Sequence, residues 1–64
     1  MGNRLKELRE VAGLTQKQLA QEIGMSQTGY SKYETEENDI PTKVLIRLAD
    51  FHGVTVGYLL CVED

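Results

Sequence analysis

The sequence predicts a small all-α domain of five short helices, and three observations carry that prediction. Apolar residues recur at spacings of three and four along most of the chain, as they do on one face of a helix. No segment shows the sustained polar and apolar alternation of a strand. Residues that favour helix ends separate these periodic segments at regular intervals. We therefore expect one domain over residues 1–64, without linkers or repeats.

The first two helices are short. Helix 1 is predicted over about Arg4–Ala12, and Gly13 suits a left-handed C-cap. Its inner face carries apolar residues at helical spacing, Leu5, Leu8 and Ala12. Thr15 opens helix 2, Gln18 completes a capping box with it, and Gly24 ends the helix. The inner face of helix 2 holds Leu19, Ala20 and Ile23.

A third helix follows after a three-residue turn. Ser26 is a favourable N-cap for a helix that runs from Gln27 to about Glu34. Tyr30 and Tyr33 are expected to face the core, as ordinary packing residues. The polar residues of the opposite face are Gln27, Thr28, Ser31 and Lys32. Helices 2 and 3, over about residues 15–35, thus have the form of a helix-turn-helix.

The second half of the chain predicts two more helices. Residues 35–40 lack helical periodicity, and Pro41 fits the first position of helix 4, which ends at Gly53. Its buried stripe is predicted to be Val44, Leu45, Leu48 and Ala49. Thr55 caps helix 5, whose apolar residues are Val56, Leu59 and Leu60.

Charge and cysteine content narrow the possible partners. The net charge of −3 does not by itself indicate a polyanion. Residues 1–33 nevertheless hold five basic and three acidic residues, against two and seven in residues 34–64. Contact with phosphate is therefore expected from the first half. Cys61 is the only cysteine, and no apolar run is long enough for a membrane span, so a cytoplasmic protein without a membrane partner is expected.

Sequence motifs from Leu14 to Leu60 make the prediction of a helix-turn-helix domain more specific. They are Leu14-Thr15-Gln16-Lys17-Gln18-Leu19-Ala20, Ile23-Gly24-Met25-Ser26-Gln27, Tyr30-Ser31-Lys32-Tyr33-Glu34, Ile40-Pro41, Leu45-Ile46-Arg47-Leu48-Ala49-Asp50-Phe51, Val54-Thr55 and Tyr58-Leu59-Leu60. Together they resemble the phage repressor and Cro family, also called xenobiotic-response-element type regulators. The resemblance implies a lambda-repressor-like DNA-binding domain from bacteria or their phages. It also implies a transcriptional regulator, most often a repressor, that works as a homodimer on a palindromic operator in double-stranded DNA.

The same resemblance implies which residues meet DNA. The expected base contacts lie on helix 3, at Gln27, Thr28, Ser31 and Lys32. Side-chain chemistry agrees, because Gln pairs with adenine and Lys donates to guanine acceptors. The expected phosphate contacts are Gln16 and Lys17 in the first half and, although the charge balance favours that half, Asn38 and Lys43 in the second. Arg9 and Glu34 correspond to a structural ion pair of the family.

Three departures from the family pattern concern helix 3 and the loop after it. Glu36 stands where members have glycine, so the chain must adopt a left-handed turn there or end the helix in another way. Glu36, Glu37 and Asp39 also occupy a loop that is basic in many members, which predicts weak non-specific affinity for DNA. Gly29 lies inside helix 3, at a cost of about 1 kcal/mol relative to Ala.

Dimerisation is predicted through the C-terminal region. More apolar surface is available there than one short helix buries against its own core, on Val56, Tyr58, Leu59, Cys61 and Val62. The alternative function is a protein-interaction module, such as an antitoxin-type partner, with weak or no DNA binding. An enzyme is disfavoured because no catalytic set is present, and no cofactor is expected. His52 lacks partners at ligand spacing, so no metal site is predicted.

Overall fold

The computed structural model describes residues 3–62, and within that range the chain forms five α-helices. They are α1 (Leu5–Val11), α2 (Gln16–Glu22), α3 (Gln27–Glu34), α4 (Thr42–His52) and α5 (Val56–Leu59). No strand occurs in the described range, which confirms the predicted all-α fold. The predicted domain, residues 1–64, extends two residues beyond that range at each end. None of the described helices is long and apolar enough to cross a membrane.

The predicted N-caps of α2, α3 and α5 are confirmed. The Thr15 hydroxyl accepts from the Gln18 amide N–H at 3.1 Å, and the Gln18 side chain accepts from the Thr15 N–H at 2.9 Å, which completes the capping box. The Ser26 hydroxyl accepts from the Gly29 N–H at 3.1 Å. Thr55 does the same for the Tyr58 N–H at 3.0 Å. Each of these three helices therefore begins where a short polar side chain satisfies a free backbone donor.

Three predicted helix boundaries differ from the structure by one residue, namely the start of α4 and both ends of α1. Pro41 is the N-cap of α4 and not its first helical residue, because its ψ of 149° is extended and its carbonyl already accepts from the Leu45 N–H. Helix α1 is one residue shorter at each end than predicted. Arg4 and Ala12 are its caps, with the Arg4 carbonyl accepting from the Leu8 N–H at 2.9 Å.

The core draws on all five helices. Its fully or almost fully buried residues are Leu5, Leu19, Ala20, Ile23, Tyr30, Leu48 and Leu59. Tyr30 is the largest of them and anchors α3 from the inside, as predicted, whereas Tyr33 is only half-buried. Since burial of an aromatic side chain dominates the energetics of so small a core, the orientation of α3 about its own axis is well determined. The polar face of α3 is thereby turned outward.

Arg47 of α4 secures the turn between α2 and α3. Its Nη1 donates to the Ile23 carbonyl at 2.9 Å, which satisfies a carbonyl at the end of α2. Gly24 follows with φ +74°, and a Cβ at this position would lie 3.6 Å from Arg47 Nη1. The Met25 N–H donates to the Ala20 carbonyl at 2.9 Å. A helix outside the helix-turn-helix thus fixes the direction in which α3 leaves the turn.

Helix α3 ends in a left-handed residue that is not glycine. Glu36 has φ +64°, and its N–H donates to the Tyr33 carbonyl at 3.2 Å. The Glu37 N–H donates to the Lys32 carbonyl at 3.0 Å. These two bonds form a Schellman motif, which is usually closed by glycine. Of the two endings that the sequence left open, the chain adopts the left-handed turn.

Replacing Glu36 by glycine is expected to raise the free energy of unfolding by about 0.5–1 kcal/mol. The left-handed conformation costs an L-residue about 1–2 kcal/mol, and the extra freedom of glycine in the unfolded chain offsets part of the gain. Urea denaturation followed by circular dichroism measures the difference. Glu36→Ala is the matched control, because it removes the same charge and keeps the Cβ. Equal stability of the two variants would contradict a backbone origin of the effect.

Candidate nucleic-acid interface

The exposed face of α3 borders a shallow depression on the surface. Its lining residues are Gln16, Gln27, Thr28, Ser31, Lys32 and Glu37. Gln27, Thr28 and Lys32 are exposed, and Ser31 is half-buried. The structure therefore brings together the four residues predicted to contact bases and one residue predicted to contact phosphate. It adds Glu37, which the sequence predicts only as part of the acidic loop.

Gln16 is tied to the end of α3. Its Nε2 donates to Glu34 Oε1 at 3.0 Å, which holds the side chain at the edge of the depression. A primary amide carries two N–H donors, so the second N–H and the carbonyl oxygen have further hydrogen-bonding capacity. The amide is thus oriented before any ligand arrives. This link between α2 and α3 was not anticipated from the sequence.

Arg9 and Glu34, which Gln16 joins to the depression, form a nearly buried ion pair. Arg9 Nε donates to Glu34 Oε2 at 2.7 Å, and Nη2 donates to Oε1 at 3.3 Å. Nη1 donates to the Leu14 carbonyl at 2.9 Å. The side chains of Arg9 and Glu34 are 13% and 4% exposed. Together with Gln16, the pair connects α1, α2 and α3 at one point.

Opposing effects set the pKa of Glu34. Burial raises it, but the hydrogen bonds from Arg9 and Gln16, together with the neighbouring Tyr30 hydroxyl, outweigh burial, so the pKa lies below its ordinary value. Burial, followed by the nearby Glu34 carboxylate, raises the pKa of Tyr30 well above its ordinary value. Glu34 therefore remains ionised and Tyr30 neutral around neutral pH.

The lowered pKa of Glu34 predicts a loss of stability in acid. A carboxyl group whose pKa is depressed by folding contributes stability above its unfolded pKa, and this contribution is lost as the pH falls through the folded value. The free energy of unfolding should therefore decline below about pH 4.5, near the unfolded pKa of a glutamate. Urea titrations between pH 3 and 7 measure it. The decline should be shallower in Glu34→Gln, and an identical decline in both proteins would refute the assignment.

The other three predicted phosphate contacts do not line the depression. Lys17 is exposed on α2. Asn38 borders a second hollow, which it shares with Glu36 and Asp39. Lys43 lies at the start of α4, on a surface shared with Ile46, Arg47 and Asp50. Of the four predicted phosphate contacts, Gln16 alone lines the depression on α3.

One predicted dimer contact requires correction. Leu59 is 0% exposed, because it is a core residue of α5, and it has no surface with which to meet a second copy. Val62 is 71% exposed, whereas Val56, Tyr58 and Cys61 are half-buried. One face of the Tyr58 ring is covered by the Arg4 guanidinium at 4.3 Å from the ring centroid. The apolar surface open to a second copy is therefore smaller than the sequence suggested.

The surroundings of His52 and Cys61 are those of packing residues. His52 packs edge-on against Phe51, with ring centroids 5.1 Å apart, and burial lowers its pKa. Cys61 is a free, half-buried thiol. Within residues 3–62 no cluster of three or more His, Cys, Asp or Glu side chains could hold a metal ion.

Comparisons with known proteins find a helix-turn-helix family and transcriptional regulators. A family model described as helix-turn-helix matches residues 5–59. The chain is 38% identical to the HTH-type transcriptional regulator ImmR of Bacillus subtilis, over all of the chain and 50% of ImmR. It is 38% identical to the cryptic phage CTXphi transcriptional repressor RstR of Vibrio cholerae, over 88% of the chain and 50% of RstR. An uncharacterized HTH-type transcriptional regulator of Methanocaldococcus jannaschii is 33% identical over all of the chain and 97% of that protein. The chain thus spans about half the length of the first two relatives.

Proposed function

Since this chain belongs to the helix-turn-helix family of the phage repressor and Cro type, we propose that it is a sequence-specific DNA-binding regulator of transcription, acting as a repressor in the cytoplasm. The observation that carries the proposal is the outward face of α3. Its exposed polar residues are Gln27, Thr28 and Lys32. Tyr30 anchors the other side of the helix in the core, so this face is presented on a rigid element.

The proposed mechanism places α3 in the major groove. Gln27 reads adenine through a bidentate amide contact, and Lys32 donates to the N7 and O6 acceptors of guanine. The Thr28 methyl meets the methyl group of thymine. Gln16, held by Glu34 at 3.0 Å, offers its second amide N–H to a phosphate oxygen. Phosphate contacts position the domain, and base contacts determine the sequence that it prefers.

Selection of bound sites from a random duplex pool tests this proposal. The protein should enrich one short motif at a fixed, stated salt concentration, because base contacts favour matched sites over competitors. Affinity for unselected DNA should be low, since the acidic loop reduces the number of phosphates that the domain neutralises. Failure to enrich any motif would refute sequence-specific binding.

We further propose that two copies bind a palindromic operator. Successive major-groove faces lie about 34 Å apart, whereas the longest dimension of the described domain is 27 Å. The contact would use the accessible apolar residues around α5, which are Val56, Tyr58, Cys61 and Val62. Sedimentation with and without the selected site should show two copies per palindrome. Val62→Asp should weaken that complex, and a 1:1 complex on a full palindrome would refute the dimer.

A protein-interaction module is the second candidate function. The hollow after α3 has an apolar lining and an acidic edge at Glu36 and Asp39, as a surface for a basic partner protein would have. Its apolar lining residues are Tyr33, Ile40, Leu45, Leu60 and Val62. The selection experiment separates the two candidates, because an interaction module would bind DNA weakly or not at all. Absence of binding to any DNA at low salt would favour this second candidate.

A further inference from the structure

Glu37 lies on the candidate DNA-reading face, although it belongs to the loop after α3. It lines the depression together with Gln27, Thr28 and Lys32. The Schellman motif explains how it comes to lie there, because the Glu37 N–H donates to the Lys32 carbonyl at 3.0 Å. The left-handed turn at Glu36 folds the chain back over the last turn of α3.

The other acidic residues of the loop border a different surface. Glu36 and Asp39 line the second hollow, which is also bordered by Asn3 and Ile40. The acidic loop therefore does not oppose DNA as a unit, because only Glu37 lines the depression on α3.

The Glu37 carboxylate is accessible and has no ionic partner. The side chain is exposed, and among residues 3–62 the pair of Arg9 and Glu34 is the only one with an N–O distance of 4.0 Å or less. Lys32 therefore does not neutralise Glu37, and each side chain can meet a different base. A carboxylate in the major groove accepts a hydrogen bond from the amino group of cytosine, whereas it is repelled by the acceptors of guanine and by phosphate.

We propose that Glu37 determines specificity by selecting cytosine, through its N4 amino group, at a position next to the base read by Lys32. This inference rests on the proposed function of α3 as the recognition helix. It changes the role of the acidic loop, because one of its carboxylates reads sequence in addition to weakening non-specific binding.

The test is site selection with the parent protein, Glu37→Gln and Asp39→Asn. The two variants remove the same charge, but only Glu37 lines the depression. We expect the parent and Asp39→Asn to enrich cytosine at one position per half-site. Glu37→Gln should lose at least about fivefold of that preference and favour adenine there, because an amide both donates and accepts. Thermal unfolding of each variant checks that the exposed substitutions leave the fold intact.

Two results would overturn the inference in different ways. An unchanged motif for Glu37→Gln, with affinity raised equally for all sequences, would show that Glu37 acts only by repelling phosphate. Failure of the parent to enrich any motif would overturn the proposed function itself, and this inference with it.

Discussion

Replacing Arg9 by methionine is expected to lower the free energy of unfolding by about 3–5 kcal/mol, the usual cost of removing one partner from a buried ion pair. The Glu34 side chain is 4% exposed, so its carboxylate would lose its charged partner without gaining water. Of the side-chain hydrogen bonds that Glu34 accepts, only the one from Gln16, at 3.0 Å, would remain. A domain of 64 residues has a total stability of about 3–10 kcal/mol, so much of the variant should be unfolded. Urea denaturation followed by circular dichroism at low temperature measures the loss.

Two further variants separate the buried charge from other consequences of this substitution. Lys17→Met removes the same charge from an exposed site on α2 and should change stability by no more than about 0.5 kcal/mol. In the double variant Arg9→Met with Glu34→Leu, both charges are absent, so much of the lost stability should return. If Arg9→Met unfolds at the same urea concentration as the parent, the pair has no role in stability.

The features that sequence predicts well in this chain are local. Thr15 and Ser26 cap helices because short polar side chains reach a backbone N–H three residues away, and both residues stand in the sequence where that geometry is available. Burial of Tyr30 likewise follows from helical spacing within one helix. Pro41 shows the limit of this reasoning, since N-cap and first helical position both suit its fixed φ and only ψ distinguishes them.

The features that sequence did not predict depend on contacts between distant parts of the chain. Arg47 reaches the Ile23 carbonyl across 24 residues, and no periodic pattern marks an exposed arginine as a cap for another helix. The bond from Gln16 to Glu34 crosses 18 residues in the same way. Leu59 is predicted as a dimer contact because several apolar residues lie close together near the end of the chain. Which of these residues is buried in the core depends on how the helices pack, and Leu59 is buried. Local rules thus determine the helices, whereas the shape of the candidate site depends on how they pack.

Removing both Gln27 and Lys32 side chains is expected to abolish most sequence discrimination while leaving the fold intact. Both residues are exposed on α3, and each base contact is worth about 1–3 kcal/mol at its position. Gln27→Ala with Lys32→Ala should therefore bind the selected site little better than unselected DNA in competition titrations. The matched control is Gln21→Ala with Lys6→Ala, which changes two exposed residues of the same types outside α3 and should retain the preference of the parent. Because loss of Lys32 also removes one charge, the comparison must use the ratio of the two affinities at one salt concentration. If the α3 double variant discriminates as well as this control, the bases are read by another surface.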